Sequence, residues 1–177
     1  MQKMFLSSKR PFYQSTQILN LERIDRQEYF SFAESFFKKK GNRLPQSEFD
    51  VIYDRYEGHT WYVQSVLNRL YSFSKDVDDP LIEYALSQIM SEFSYSYETL
   101  LKALPAGSVR LLRAIASEGK VKSVTSGEFI SRHRLRAASS ISSSLKKLLD
   151  NELVYKTPDG YIVYDRFMGE WLRQLDF

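Results

Sequence analysis

Between positions 120 and 147 the sequence carries seven basic residues against a single acid, Glu128. Arg132, Arg134 and Arg136 alternate along one short stretch, Lys146 and Lys147 follow ten positions later, and Lys156 extends the series. Cationic side chains at this density can neutralise phosphates. They can equally meet an acidic protein surface, or form the solvated face of a mildly basic domain. Ser139 and Ser143 lie among them in the run SSISSS (139–144), small enough to let another surface come close. That run contains no Asn, Gln or Arg, the side chains that make bidentate contacts with base edges. The chemistry on offer is charge attraction with little sequence reading.

Other chemistries find no support. His59 and His133 are far apart and belong to no metal-ligand pair, and Cys is absent, so no metal site and no thiol nucleophile are expected. No nucleophile–base pair or carboxylate dyad stands out, so no catalytic residue is assigned. No run of about 18 apolar residues exists, which leaves no membrane partner among the expectations. A Cys-free chain without a signal-type N-terminus suits the cytoplasm, the expected location. The net charge of +3 conceals an asymmetry: residues 1–100 hold 12 Lys and Arg against 14 Asp and Glu, and residues 101–177 hold 13 against 8.

The elements that must position these groups are mainly helical. Aromatic residues reach 15% while Gly and Pro number only 7 and 5, a profile for packed helices rather than a turn-rich β fold. Gln14 to Leu21 reads as a short strand without an obvious partner. Asp25 opens a helix with Glu28 placed to complete a capping box, and Tyr29, Phe32, Ala33, Phe36 and Phe37 form its apolar stripe. Lys38 to Lys40 suit its last turn and Gly41 stops it. Further helices are expected over about Ser47–Glu57, from Thr60 through Tyr71, and after an Asp79 cap with Pro80, with Ser94–Leu104 as a separate helical stretch.

From Pro105 the order changes. A helix carrying Leu112 and Ile115 runs to Gly119, and Lys120–Val124 reads as a short strand. Ser126 caps a short helix with Phe129 and Ile130, Arg132–Arg136 form a turn, and a helix spans Ala137–Asn151 with Ile141, Leu145 and Leu148 on one face. Leu153–Lys156 and Tyr161–Asp165 follow as β-runs joined by Thr157-Pro158-Asp159-Gly160, where Pro presets φ and Gly allows φ > 0. Three helices followed by a hairpin is the order of a winged helix-turn-helix with a small β-hairpin wing.

Three motifs in order carry a resemblance: Ser8-Lys9-Arg10-Pro11-Phe12-Tyr13, Gly58-His59-Thr60-Trp61-Tyr62, and Asp165-Arg166-Phe167 with Trp171-Leu172. Together they resemble the C-terminal part of archaeal-type P-loop ATPases of the STAND branch of the AAA+ superfamily. The resemblance implies a remnant connection or strand from a missing nucleotide-binding core (1–24), a helical lid-type bundle (25–100) and a winged helix (101–177). It also implies that Arg10, Gly58, His59, Thr60, Trp61 and Tyr62 face nucleotide, with Trp61 and Tyr62 either near the base or in the lid core. Thr60 stands where the family has Pro, and Gln14-Ser15 where many members have Gly-Arg.

No GxxxxGK[ST] occurs in the sequence, so nothing converges backbone N–H groups and a Lys on phosphates. The chain therefore reads as a non-catalytic regulatory fragment that gates turnover by an upstream ATPase core, its partner, and binds duplex DNA or protein through Arg132, Arg134, Arg136, Ser139, Ser143, Lys146, Lys147 and Lys156. ATP and Mg are implied only for an intact parent, and no cofactor is expected on this chain. The alternative is an autonomous winged-helix DNA-binding regulator with a helical dimerisation domain. The oligomeric state stays open.

Overall fold

The computed structural model describes residues 22–175. The strand expected over Gln14–Leu21, the Ser8–Tyr13 motif with Arg10, and the last two residues lie outside that range. Ten elements follow in order: α1 (Arg26–Lys39), α2 (Gln46–Arg55), α3 (Thr60–Phe73), α4 (Asp79–Ala103), α5 (Ala106–Glu118), α6 (Gly127–Arg132), α7 (Ala138–Asp150), β1 (Val154–Thr157), β2 (Gly160–Val163) and α8 (Arg166–Gln174). None of the helices among the described residues is long and apolar enough to cross a membrane.

Local chemistry sets most boundaries. The Asp25 carboxylate accepts hydrogen bonds from the N–H groups of Gln27 and Glu28, which opens α1. The turn from α2 to α3 passes through Gly58 at φ +69°, where an added Cβ would come within 2.6 Å of the Tyr53 ring. Only glycine fits that approach.

Two helical details differ from the sequence expectations. On α1 the buried residues are Tyr29, Phe30, Ala33 and Phe37, while Phe32 and Phe36 are 63% and 43% exposed. The Phe49 ring of α2 lies 5.6 Å from Tyr29 and 5.5 Å from Phe30, so α2 covers that side of α1 and leaves the Phe32 side open. The cap of α4 is Asp78, which accepts from the Leu81 N–H at 2.9 Å, one residue before the expected Asp79. From there α4 runs 25 residues without a break, because its one Pro, Pro80, sits in the first turn, no Gly or Pro follows it, and Tyr97 ties its second half to α8. It packs against both α3 and α8, and a continuous buried apolar cluster extends from Tyr29 to Leu172.

The second half has winged-helix architecture. α5 packs against α7 and α8, and α6 precedes the turn into α7, with Ser126 accepting from the Phe129 N–H at its start. β1 and β2 pair antiparallel, Val154 opposite Val163 and Thr157 opposite Gly160. The strand expected over Lys120–Val124 shrinks to one bridge, Val121 to Tyr161, because the turns at Gly119 and at Ser123–Ser126 leave one residue free to pair. Gly160, at φ +140°, lets the hairpin close on that bridge, since a Cβ there would lie 2.5 Å from the Val121 carbonyl oxygen.

Candidate functional site

The cationic surface rests on α7. Ile141 and Leu148 are buried and Leu145 is half-buried, which aims this face at α5. Helical geometry then turns Ser139, Ser143, Lys146 and Lys147 outward, and all four are exposed. Arg134 and Arg136 occupy the turn before α7, Arg134 in the left-handed region at φ 47°. Lys156 projects from β1 with its ammonium 5.7 Å from the Tyr161 ring centroid. Among the described residues, Arg134, Arg136, Lys146, Lys147 and Lys156 make no ion pair, so their charge is available to an outside anion.

Arg132 stands apart. Its guanidinium meets Glu118 at 2.7 Å and also hydrogen-bonds Glu128, so its charge is neutralised within the fold. Glu118 also takes the His133 Nε2 at 2.7 Å. The His133 hydrogen bond, helped by Arg132 and opposed by partial burial, holds the Glu118 carboxyl below its ordinary pKa. A further cation escaped the sequence reading. Arg110 of α5 lines a small cleft with Arg136, Ser140 and Ser144. It lies outside the basic run, and only the packing of α5 on α7 brings it to this face.

The Gly58–Tyr62 segment forms a different kind of site. His59 precedes α3 and lies 4.9 Å from the Tyr62 ring, Thr60 is exposed, and Trp61 is 53% exposed. Tyr62 is buried: it stacks on Tyr56 at 5.5 Å and meets the edge of Phe167 at 5.0 Å. Its hydroxyl accepts the Arg166 backbone N–H at 3.1 Å, and burial pushes its pKa up. Trp61 lies 5.6 Å from Phe167. Nearby, the Tyr97 hydroxyl donates to Asp165 at 2.8 Å while the other Asp165 oxygen caps α8. The first turn of α3 and the segment opening α8 are thus packed against each other, forming a seam between α1–α4 and α5–α8. No group of three or more His, Cys, Asp or Glu residues able to hold a metal ion occurs among the described residues.

Residues 95–174 match the family model of a probable winged helix domain. No curated protein matches the chain by sequence. In structure the chain is similar to a Walker-type ATPase of Pyrococcus abyssi at 16% identity and a TM-score of 0.63, over 95% of this chain and 47% of that one. The chain therefore spans about half the length of that protein, and at this identity the likeness is one of fold. Residues 95–174 are thus similar to a probable winged helix domain, and the chain as a whole is similar in fold to about half of a Walker-type ATPase.

Proposed function

We propose that this chain is the regulatory, non-catalytic part of an ATPase-type protein, and that its winged helix engages duplex DNA through the phosphate backbone. The observation that carries this reading is the unpaired cationic surface of Arg134, Arg136, Lys146, Lys147 and Lys156 on a winged-helix scaffold. Phosphate contacts position a protein without specifying sequence, and the serine-rich outer face of α7 offers no bidentate base reader. Binding by this face is weak in sequence preference and strong in salt dependence.

The fold likeness supports an ATPase parent, whose hydrolytic core and Mg would lie outside this chain. On this reading the packed seam carries lid movement to the wing, which is how the module gates turnover. The isolated chain hydrolyses no ATP above a buffer control, because its sequence holds no phosphate loop. The exposed Phe32 and Phe36 face favours a second reading, an autonomous DNA-binding regulator that dimerises through α1.

The test is fluorescence anisotropy of a short labelled duplex of arbitrary sequence at stepped salt. Log K is expected to fall linearly with log salt, by about 0.9 per phosphate neutralised. No measurable binding at low salt would assign the cationic face to a protein partner instead.

A further inference from the structure

A cleft of about 300 Å³ opens between the end of α2 and the winged helix, a volume at the lower end for small-molecule sites. It shares no residue with the Gly58–Tyr62 segment or with the outer face of α7. Seven charged side chains line it, and the three carboxylates among them already have partners. Arg55 holds Glu170 at 2.8 Å, Arg166 holds Glu57 at 3.1 Å, and Glu118 meets Arg132 and His133 at 2.7 Å. The cations are less committed. Among the described residues Arg173 makes no ion pair, and its Nη1 donates only to the Ala116 carbonyl, at 3.2 Å. Lys120 reaches Asp159 at 3.6 Å with both side chains well exposed, a pairing that contributes little. Arg166 engages Glu57 and Tyr155 through Nη2 and keeps Nε and Nη1 for another acceptor.

The uncommitted donors converge. Arg166 and Arg173 lie two turns apart on one face of α8, about 10 Å along its axis, which is within reach of two arginine side chains. Gly169 between them carries no side chain to fill the gap, and the packing of α5 on α8 brings Lys120 to the same cleft. We infer that this cleft binds a phosphate group, free or carried by a small molecule, through Lys120, Arg166 and Arg173. Three cationic donors suit a group with three outward oxygens and nearly two charges, whereas one guanidinium fork satisfies a carboxylate. The negative C-terminal end of α5 beside the cleft is offset by the Arg173 bond to Ala116. Ile162 and Val163 give an apolar surface to the body of an organic phosphate. Because α2 and the winged helix both line the cleft, an occupant stabilises the seam between them. The inference is independent of any DNA binding by the winged helix.

The test titrates the isotope-labelled chain with sodium phosphate, phenyl phosphate and sodium acetate at constant ionic strength, with NMR amide signals locating the site. Phosphate is expected to shift the Gly119 and Gly169 signals and to saturate at millimolar concentration, phenyl phosphate to bind more tightly, and acetate to shift neither. Lys120→Gln and Arg173→Gln should each weaken phosphate about tenfold, the loss of one charge-assisted contact. Lys102→Gln, an exposed change on α4, should leave the affinity as it is. Phosphate should also raise the unfolding midpoint of wild type and not that of Lys120→Gln. Equal affinities for phosphate and phenyl phosphate would assign the free ion and still uphold the site. Saturating shifts over Ser139–Ser144 in place of Gly119 and Gly169 would move the phosphate to the cationic face and overturn the inference. Absent or unsaturated shifts, an affinity unchanged by Lys120→Gln, or acetate bound as tightly as phosphate would overturn it too.

Discussion

The Arg55 guanidinium grips the Glu170 carboxylate 115 positions away, with Nε 3.1 Å from both oxygens and Nη2 2.8 Å from one. Glu170 is buried, and Arg55 also reaches Glu83 of α4 at 2.6 Å. Burial would lower the Arg55 pKa, but the hydrogen bonds and charges of Glu170 and Glu83 outweigh it and raise the pKa above its ordinary value. The pairing is reciprocal across the seam. Arg166 of α8 returns to Glu57, just beyond α2, at 3.1 Å, and to the Tyr155 hydroxyl of β1 at the same distance. Two crossed ion pairs, Arg55 with Glu170 and Glu57 with Arg166, thus join α2 and the segment after it to α8, beside the aromatic contacts of the seam.

Removing one partner of this pair should cost more than removing both. Arg55→Ala strands a buried carboxylate and is expected to lower stability by about 3 kcal/mol, the low end for buried pairs because the guanidinium is partly exposed. Adding Glu170→Gln should recover part of that loss. Denaturant unfolding of the single and double variants measures the coupling. A negligible cost for Arg55→Ala would mean that water takes the place of the arginine.

Leu148 is fully buried where α7 packs on α5. Leu148→Ala should cost about 2–5 kcal/mol through the cavity it leaves. An unchanged unfolding midpoint would place the inner face of α7 elsewhere.

Among the cations, free charge rather than sequence proximity should decide the salt response. Lys146→Ala with Lys147→Ala should weaken every duplex alike and flatten the log-salt slope by about 0.9 for each phosphate left without its lysine. Arg132→Ala should leave the slope nearly unchanged, since Glu118 and Glu128 already hold that charge. Equal effects from the two sets would refute this division.

Glu118 ties the end of α5 to the turn before α7. Its folded pKa lies below the ordinary 4.5, so its contribution is present above that value and is lost as pH falls through the folded pKa. Acid unfolding of wild type should therefore include a component below about pH 4.5 that Glu118→Gln lacks. Titrating the Glu118 carboxyl by NMR checks the direction, and His133→Phe should move it back toward the ordinary value. A Glu118 titration at or above the ordinary range would remove the basis for this prediction.

The helix starts at Asp25 and Ser126, the stops at Gly41 and Gly58, and the Thr157–Gly160 turn were legible because each acts through atoms a few residues apart. The apolar stripe of α1 was legible only as a stripe. Periodicity marks an arc, and it took the placement of Phe49 to decide that Tyr29 and Phe30 would be covered while Phe32 and Phe36 would not. The third strand of the wing failed as a strand because pairing needs a neighbour of matching length, and the turns around Val121 allow one residue.

By itself the sequence determined the helical class, the hairpin, the basic second half and the presence of cationic residues around α7, since all of these follow from composition and short-range pattern. Tertiary structure alone decided which of those cations are free. Arg132 and Glu118 are 14 positions apart and Arg110 lies on α5 while Arg136 lies in the turn before α7, so docking of α5 against α6 and α7 pairs one charge and brings another to the cationic face. Tertiary structure likewise turned Tyr62 toward Arg166, 104 positions away. No local pattern encodes such a pairing, because its energy exists only once the two halves have packed.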